Sequence, residues 1–87
     1  MNKGVSIAVR ISNRVEEAPD VQSVFTKYGC NIKTRLGLHE VSDKSCAKDG
    51  LILLVCVGAD DELKNLEKEL NGIHGVKAVS TDLPIFE

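Results

Sequence analysis

Hydrophobic and polar positions alternate strictly near the N-terminus of the chain. Val5, Ile7, Val9 and Ile11 are the branched hydrophobic residues of this segment, and Ser6, Ala8, Arg10 and Ser12 lie between them. Successive side chains of a β-strand point to opposite faces of the sheet, so the pattern predicts a strand with one fully buried face. We expect the branched residues to face helices, and the small and polar residues to form a face that another surface can approach closely.

The rest of the chain repeats one order of elements twice. Hydrophobic residues at helical spacing follow the first strand (Ala18, Val21, Val24, Phe25, Tyr28) and also follow a second apolar strand at residues 51–57 (Leu63, Leu66, Leu70, Ile73). Strand-like runs at residues 31–41 and 76–83 complete the two units. The order βαββαβ predicts an α+β, ferredoxin-like two-layer sandwich with an antiparallel sheet in the order 4-1-3-2. We expect residues 1–87 to form a single ferredoxin-like domain.

The run Leu51-Ile52-Leu53-Leu54-Val55-Cys56-Val57 is apolar at every position. A strand of this kind is covered on both faces of its sheet. The two helices can cover only one face, so the second cover is expected to come from another subunit. The sequence therefore predicts a homodimer or homotetramer that assembles through its sheets.

Composition excludes several classes of function. Aromatic residues are only 3% of the chain and its net charge is −2, so we expect no direct binding to nucleic acid, which calls for a basic stripe or an aromatic platform. No apolar run approaches the roughly 20 residues that cross a bilayer, so we expect no membrane partner. Three cysteines without a disulfide framework favour a cytoplasmic location.

Metal-binding and catalytic patterns are weak. The soft-metal ligands are Cys30, Cys46, Cys56, His39 and His74, and none of them forms the close pairs typical of a zinc site. If a metal binds, His39 and Cys46 are the expected ligands, completed across a subunit interface. No cofactor is predicted. No nucleophile has a recognisable base nearby, so we expect a protein that is not an enzyme.

Two polar segments are candidate ligand sites. Arg35, Gly37 and His39 share one face of the second strand, with Lys33, whereas Ile32, Thr34, Leu36 and Leu38 are predicted on the other. Gly37 predicts a bulge or the close approach of another group. The alternative interpretation is an edge strand whose charges prevent aggregation. Asn13-Arg14, at the start of the first helix, could bind an anion through helix amides or could be a cap beside a surface arginine. We predict a small, anionic effector at a subunit edge.

Several short motifs resemble those of one family of small regulators. They are Asn13-Arg14, Val21-Gln22, Tyr28-Gly29, Ile32-Lys33-Thr34-Arg35-Leu36-Gly37 and Ile73-His74-Gly75-Val76-Lys77. Together they resemble the ACT-like iron-only hydrogenase system regulators, over nearly the whole chain. The resemblance implies a ferredoxin-like domain that oligomerises and has a regulatory role. ACT domains that bind amino acids have Pro-Gly after a similar turn, where this chain has Val15-Glu16.

A more distant resemblance is to the C-terminal domain of the nickel-responsive repressor. His39 falls where that domain has a metal-binding histidine. This chain has Gly50-Leu51 where the repressor domain has a cysteine, and it contains no ribbon-helix-helix segment. The resemblance implies, as the alternative function, a metal-responsive sensor of the nickel type.

Overall fold

The computed structural model describes residues 3–12, 14–38 and 50–84. Their elements follow the predicted order: β1 (Lys3–Ile11), α1 (Arg14–Lys27), β2 (Ile32–Leu38), β3 (Gly50–Gly58), α2 (Asp60–Asn71) and β4 (Val76–Asp82). The βαββαβ order predicted from the hydrophobic pattern is confirmed.

The four strands form one antiparallel sheet in the order β2-β3-β1-β4. This is the predicted order 4-1-3-2 read from the opposite edge. Val21 and Phe25 of α1 and Leu63, Leu66 and Leu70 of α2 belong to one buried cluster with the branched residues of β1. Both helices therefore cover the same face, and the prediction of an α+β two-layer, ferredoxin-like fold is confirmed.

The core is almost entirely aliphatic. Ile7, Val9, Leu54 and Leu66 are completely buried, and the described part of the chain has no buried polar or charged residue. Full burial of such a side chain contributes roughly 1.5–3 kcal/mol. The predicted division of β1 is confirmed, because Val5, Ile7, Val9 and Ile11 are buried in the core under the helices, whereas Ala8 and Arg10 are exposed on the other face.

The second strand departs from the predicted alternation. Ile32 pairs with Cys56, but Thr34 pairs with the next residue, Val55, so Lys33 is an extra residue in β2. Such a bulge reverses the faces on either side of it. Ile32 consequently packs against the core instead of sharing a face with Thr34 and Leu36.

Of the two alternatives predicted for Gly37, the bulge is wrong in position, and the close approach of another group stays a prediction. Gly37 pairs regularly with Ile52, and a Cβ built on Gly37 has no neighbour within 4 Å among the described residues. A bulge at a non-glycine residue such as Lys33 produces no distinctive sequence signal.

Polar side chains on α2 hold this helix against β4. The Ala78 N–H donates to Asn71 Oδ1 at 2.7 Å, and Asn71 Nδ2 donates to the Ala78 carbonyl at 2.9 Å. One turn earlier, Glu67 accepts hydrogen bonds from the Ser80 hydroxyl at 2.7 Å and from the Ser80 N–H at 3.3 Å. These bonds fix the helix to the main chain of an edge strand.

Candidate functional site

The face of the sheet opposite the helices carries a row of apolar side chains. Leu36, Leu53, Ala8 and Val79 are cross-strand neighbours on the four strands, in that order. Leu36 is 52% exposed, Leu53 38% and Val79 54%. We call these four residues the apolar row. A contiguous apolar surface on a small domain is characteristic of an interaction site.

The rows on either side of it are more polar. Thr34, Val55, Ser6 and Thr81 form one of them, and Leu51, Arg10 and Lys77 form most of the other. The predicted cover of one face of β3 is confirmed, since Leu54 and Cys56 are buried under the helices. Leu51 and Leu53 are exposed on the open face, and the cover of that face by another subunit stays a prediction.

A second feature lies at the β2 edge, on the helix side. The Arg35 guanidinium lies 4.8 Å from the centre of the Phe25 ring. Lys33 Nζ donates a hydrogen bond of 3.1 Å to the Cys30 carbonyl. Both cations border an open depression of about 250 Å³, whose lining residues are Phe25, Gly29, Ile32, Lys33, Thr34 and Arg35. An arginine presents a planar, always charged group that matches carboxylate and phosphate.

The structure relates the two predicted ligand segments only in part. β1 ends at Ile11, opposite Gly50, and Leu38 at the end of β2 lies opposite Leu51, so both strands end at the same end of the sheet. Arg14 is the first residue of α1. Asn13 and His39 lie outside the described residues, and both segments stay predicted ligand sites.

Within the candidate site, Gly37 is two residues beyond Arg35 on the same strand. It faces the helix side with Arg35, as predicted, but it does not line the depression. Phe25 does line it, although its helical spacing predicts only a core residue. The sequence does place Phe25 near the end of α1, the helix that leads into β2, and this nearness to β2 is the signal for its role beside Arg35.

A polar cluster joins the ends of α1 and α2. Tyr28 donates its hydroxyl proton to Glu69, and Lys27 Nζ lies 2.9 Å from Glu69 Oε1. The hydrogen bond to Glu69 raises the pKa of Tyr28 to about 12. The Tyr28 hydroxyl, with Lys27 as a second partner, lowers the pKa of Glu69. The cluster connects the two helices.

The described residues offer no metal centre. Across residues 3–12, 14–38 and 50–84, no group of three His, Cys, Asp or Glu side chains could hold a metal ion. His39 and Cys46, the predicted ligands, lie outside this part of the chain. Cys56 is completely buried, and burial raises the pKa of its thiol to about 11, which suits a core residue rather than a ligand.

Two solved structures share this fold. An uncharacterised protein from Thermotoga maritima has a TM-score of 0.82 at 19% identity, over 95% of this chain and 99% of that chain. The ACT domain from GTP pyrophosphokinase of Chlorobium tepidum has a TM-score of 0.68 at 18% identity, over 93% of this chain and 100% of that domain. These likenesses show that the fold is ACT-like.

No protein-family model matches the sequence, and neither does any curated protein. No helix in the described part of the chain is long and apolar enough to span a membrane.

Proposed function

We propose that this chain is a non-enzymatic regulatory module of the cytoplasm. It assembles as a homodimer or homotetramer through its sheet and binds a small, anionic effector at an interface between subunits. The observation that carries this proposal is the apolar row, exposed on the open face of a sheet whose β2 edge also carries Arg35.

Assembly is favoured by the cost of leaving the open face in water. Leu36, Leu53 and Val79 are each between one-third and three-fifths exposed, although they are large hydrophobic residues. Burying apolar surface releases roughly 25 cal/mol per Å². A second copy presents the same row, so face-to-face contact buries the exposed parts of both.

An anionic effector is favoured by the charge at the depression. Lys33 and Arg35 both border it, and within the described ranges neither forms an ion pair with a carboxylate. Hydrogen bonds from a guanidinium to a carboxylate or phosphate are charge-assisted and often bidentate. The Phe25 ring holds the guanidinium in place, which reduces the entropy lost on binding.

We also propose that the chain is one of the iron-only hydrogenase system regulators. The support is the set of short motifs from Asn13-Arg14 to Val76-Lys77, together with an ACT-like fold of the kind that this resemblance implies. The metal-responsive alternative depends on His39 and Cys46.

Assembly is tested by placing a charge in the apolar row. Leu53→Asp adds a carboxylate at the centre of the open face, where the side chain is partly exposed and the protomer fold should persist. Sedimentation velocity at micromolar concentration should show an oligomer for the wild-type protein and a lower mass for Leu53→Asp. Gln22→Asp, an exposed change on α1, is the matched control and should leave the mass unchanged. A wild-type monomer would contradict the proposal.

The effector site is tested by screening carboxylate- and phosphate-bearing metabolites for thermal stabilisation. A ligand found in this way should bind at least tenfold more weakly to Arg35→Ala, and more weakly to Arg14→Ala if the predicted second segment contributes. Lys77→Ala removes an exposed cation from β4, at the other edge of the sheet, and should leave affinity unchanged. Affinity that is unchanged by both arginine substitutions would mean that the site is elsewhere.

A further inference from the structure

The depression at the start of β2 combines positive charge with an apolar lining. The side chains of Lys33 and Arg35 are exposed at its border. Phe25 and Ile32, which also line it, pack into the hydrophobic core and present only a small part of their hydrocarbon surface. A ligand in this depression therefore meets two cations and an apolar surface at the same time.

The depression is formed by a single protomer, at one end of its sheet. Ile32, the first residue of β2, pairs with Cys56 near the end of β3. The turn from β1 to α1 lies at the opposite end, beside the start of β3. Phe25 is about 16 Å along the helix axis from Arg14, since an α-helix rises about 1.5 Å per residue. The depression is thus separate from the Asn13-Arg14 segment.

No carboxylate lines the depression. Its lining residues, all within the described part of the chain, include two cations and no acid. Glu69, the carboxylate that joins the two helices, is already engaged by Tyr28 and Lys27. Like charges a few ångströms apart repel, and the repulsion grows where water is partly excluded. A cationic group on a ligand would therefore face Lys33 and Arg35 without a compensating negative charge.

The main-chain carbonyls beside the depression also have partners. The Tyr28 carbonyl accepts hydrogen bonds from the N–H groups of Asn31 and Ile32, at 2.9 and 3.1 Å. The Cys30 carbonyl accepts the bond from Lys33 Nζ at 3.1 Å. An ammonium group donates three hydrogen bonds and accepts none, so it needs free acceptors. These two carbonyls of the segment between α1 and β2 are poorly suited to supply them.

The Arg35 guanidinium is suited to a carboxylate. Its stacking on Phe25, at 4.8 Å from the ring centre, uses one face of the planar group. The N–H groups lie in the plane and point outward from its edge, where they can donate two parallel hydrogen bonds to one carboxylate.

We propose that the depression binds a carboxylate that carries an apolar or aromatic group and lacks an amino group, such as an α-keto acid. This inference rests on the proposed binding of an anionic effector and names the chemical class of that effector. Arg35 pairs with the carboxylate, Lys33 adds a second positive charge, and the apolar group covers the accessible hydrocarbon of Phe25 and Ile32. The corresponding amino acid has the same carboxylate and side chain, but its ammonium group is repelled by the two cations.

Matched pairs of probes test this specificity. Phenylpyruvate and phenylalanine have the same side chain and carboxylate, as do α-ketoisocaproate and leucine, and each pair differs in a keto group against an ammonium group. Isothermal titration calorimetry on the full chain should give a dissociation constant at least tenfold lower for at least one keto acid than for its amino acid. Acetate, which lacks the apolar group, should bind at least tenfold more weakly than that keto acid.

Substitutions of Arg35 assign the discrimination to the depression. Arg35→Gln removes the charge and keeps a long side chain beside Phe25. It should weaken binding of the keto acid at least tenfold and reduce the preference over the amino acid, because the ammonium group then faces one cation fewer. Arg35→Lys keeps the charge without the paired geometry and should bind with intermediate affinity. Lys77→Gln removes an exposed cation from β4 and should change neither affinity nor preference.

The outcomes separate this inference from the proposed function. Equal affinity for keto and amino acids, acetate binding as tight as that of the keto acids, or no binding of either keto acid would overturn the inference. The proposed anionic effector would still stand if another carboxylate or phosphate bound more weakly to Arg35→Ala. Binding of a keto acid that Arg35→Gln leaves unchanged would place it elsewhere and overturn the inference. If no anion bound to the wild-type protein, both would fail.

Discussion

The two βαβ-like halves of this molecule have the same element order but differ at their outer edges. In the second half, Asn71 and Glu67 of α2 bind the main chain of β4. In the first half, α1 reaches β2 through Phe25, whose ring contacts the Arg35 side chain, and no described side chain of α1 forms a hydrogen bond with the main chain of that strand. The same architecture thus has one protected edge and one available edge.

Hydrophobic periodicity thus determines the two layers of the fold, whereas a few polar side chains determine whether an edge of the sheet is hydrogen-bonded within the protein. Both helices bury apolar residues at helical spacing against the same face. On α2, an amide and a carboxylate four residues apart lie on the side that faces its edge strand. The available edge is also the one with a cationic depression.

The largest expected loss of stability comes from truncating the buried residues that pack each helix against the sheet. Leu66→Ala should lower the free energy of unfolding by about 2–5 kcal/mol, since this leucine is completely buried. Val21→Ala, its completely buried counterpart on α1, removes less volume and should cost about 1.5–3 kcal/mol. Urea denaturation at one protein concentration measures both changes.

The control for this pair is Val79→Ala on the open face. A protein of this length is stabilised by about 4–13 kcal/mol, so either core change removes a large fraction. A cost for Val79→Ala as large as that for Leu66→Ala would mean that the open face is buried in the assembly as completely as the core. A loss in the free energy of unfolding that is larger for Val21→Ala than for Leu66→Ala would contradict the expected order of the two substitutions.

A smaller effect should follow from removing the amide that protects β4. Asn71→Ala leaves the N–H and carbonyl of Ala78 without their partner, although Ala78 is buried, and should cost about 1–3 kcal/mol. Asn65→Ala is the matched control, because Asn65 is an exposed asparagine on the same helix. Hydrogen exchange should also become faster at the Ala78 N–H in Asn71→Ala alone. Unchanged stability and exchange would show that the edge is not held by Asn71.

Much of the fold follows from the sequence because hydrophobic periodicity and chain connectivity are local. The alternation of β1, the helical spacing of Leu63, Leu66 and Leu70, and the apolar run of β3 predict the elements and the sheet order. The exposure of Leu51 and Leu53 also follows, because two helices on one face leave the other face uncovered.

The candidate site is less predictable because it depends on single contacts between distant residues. The bulge at Lys33 turns Ile32 toward the core. The sequence around Lys33 does not distinguish a bulge from a regular strand. The stacking of Arg35 on Phe25 requires the geometry of the crossover from α1 to β2. In the sequence, Asn71 and Glu67 cannot be distinguished from other polar residues of an exposed helix face, because their hydrogen bonds depend on the position of β4.

The smallest expected effect concerns the cluster where the two halves meet. The hydrogen bond to Glu69 raises the pKa of Tyr28 from 10.0 to about 12, and Tyr28 is the single tyrosine of the chain. A raised folded pKa stabilises the protein fully below pH 10, and this stabilisation is lost as the pH rises toward 12. Tyrosinate absorbance should therefore titrate near pH 12 in the folded protein and near pH 10 in urea. Glu69→Gln should move the folded midpoint back toward 10, whereas Glu67→Gln should not. A folded midpoint near 10 in the wild-type protein would show that the two helices are not joined through this bond.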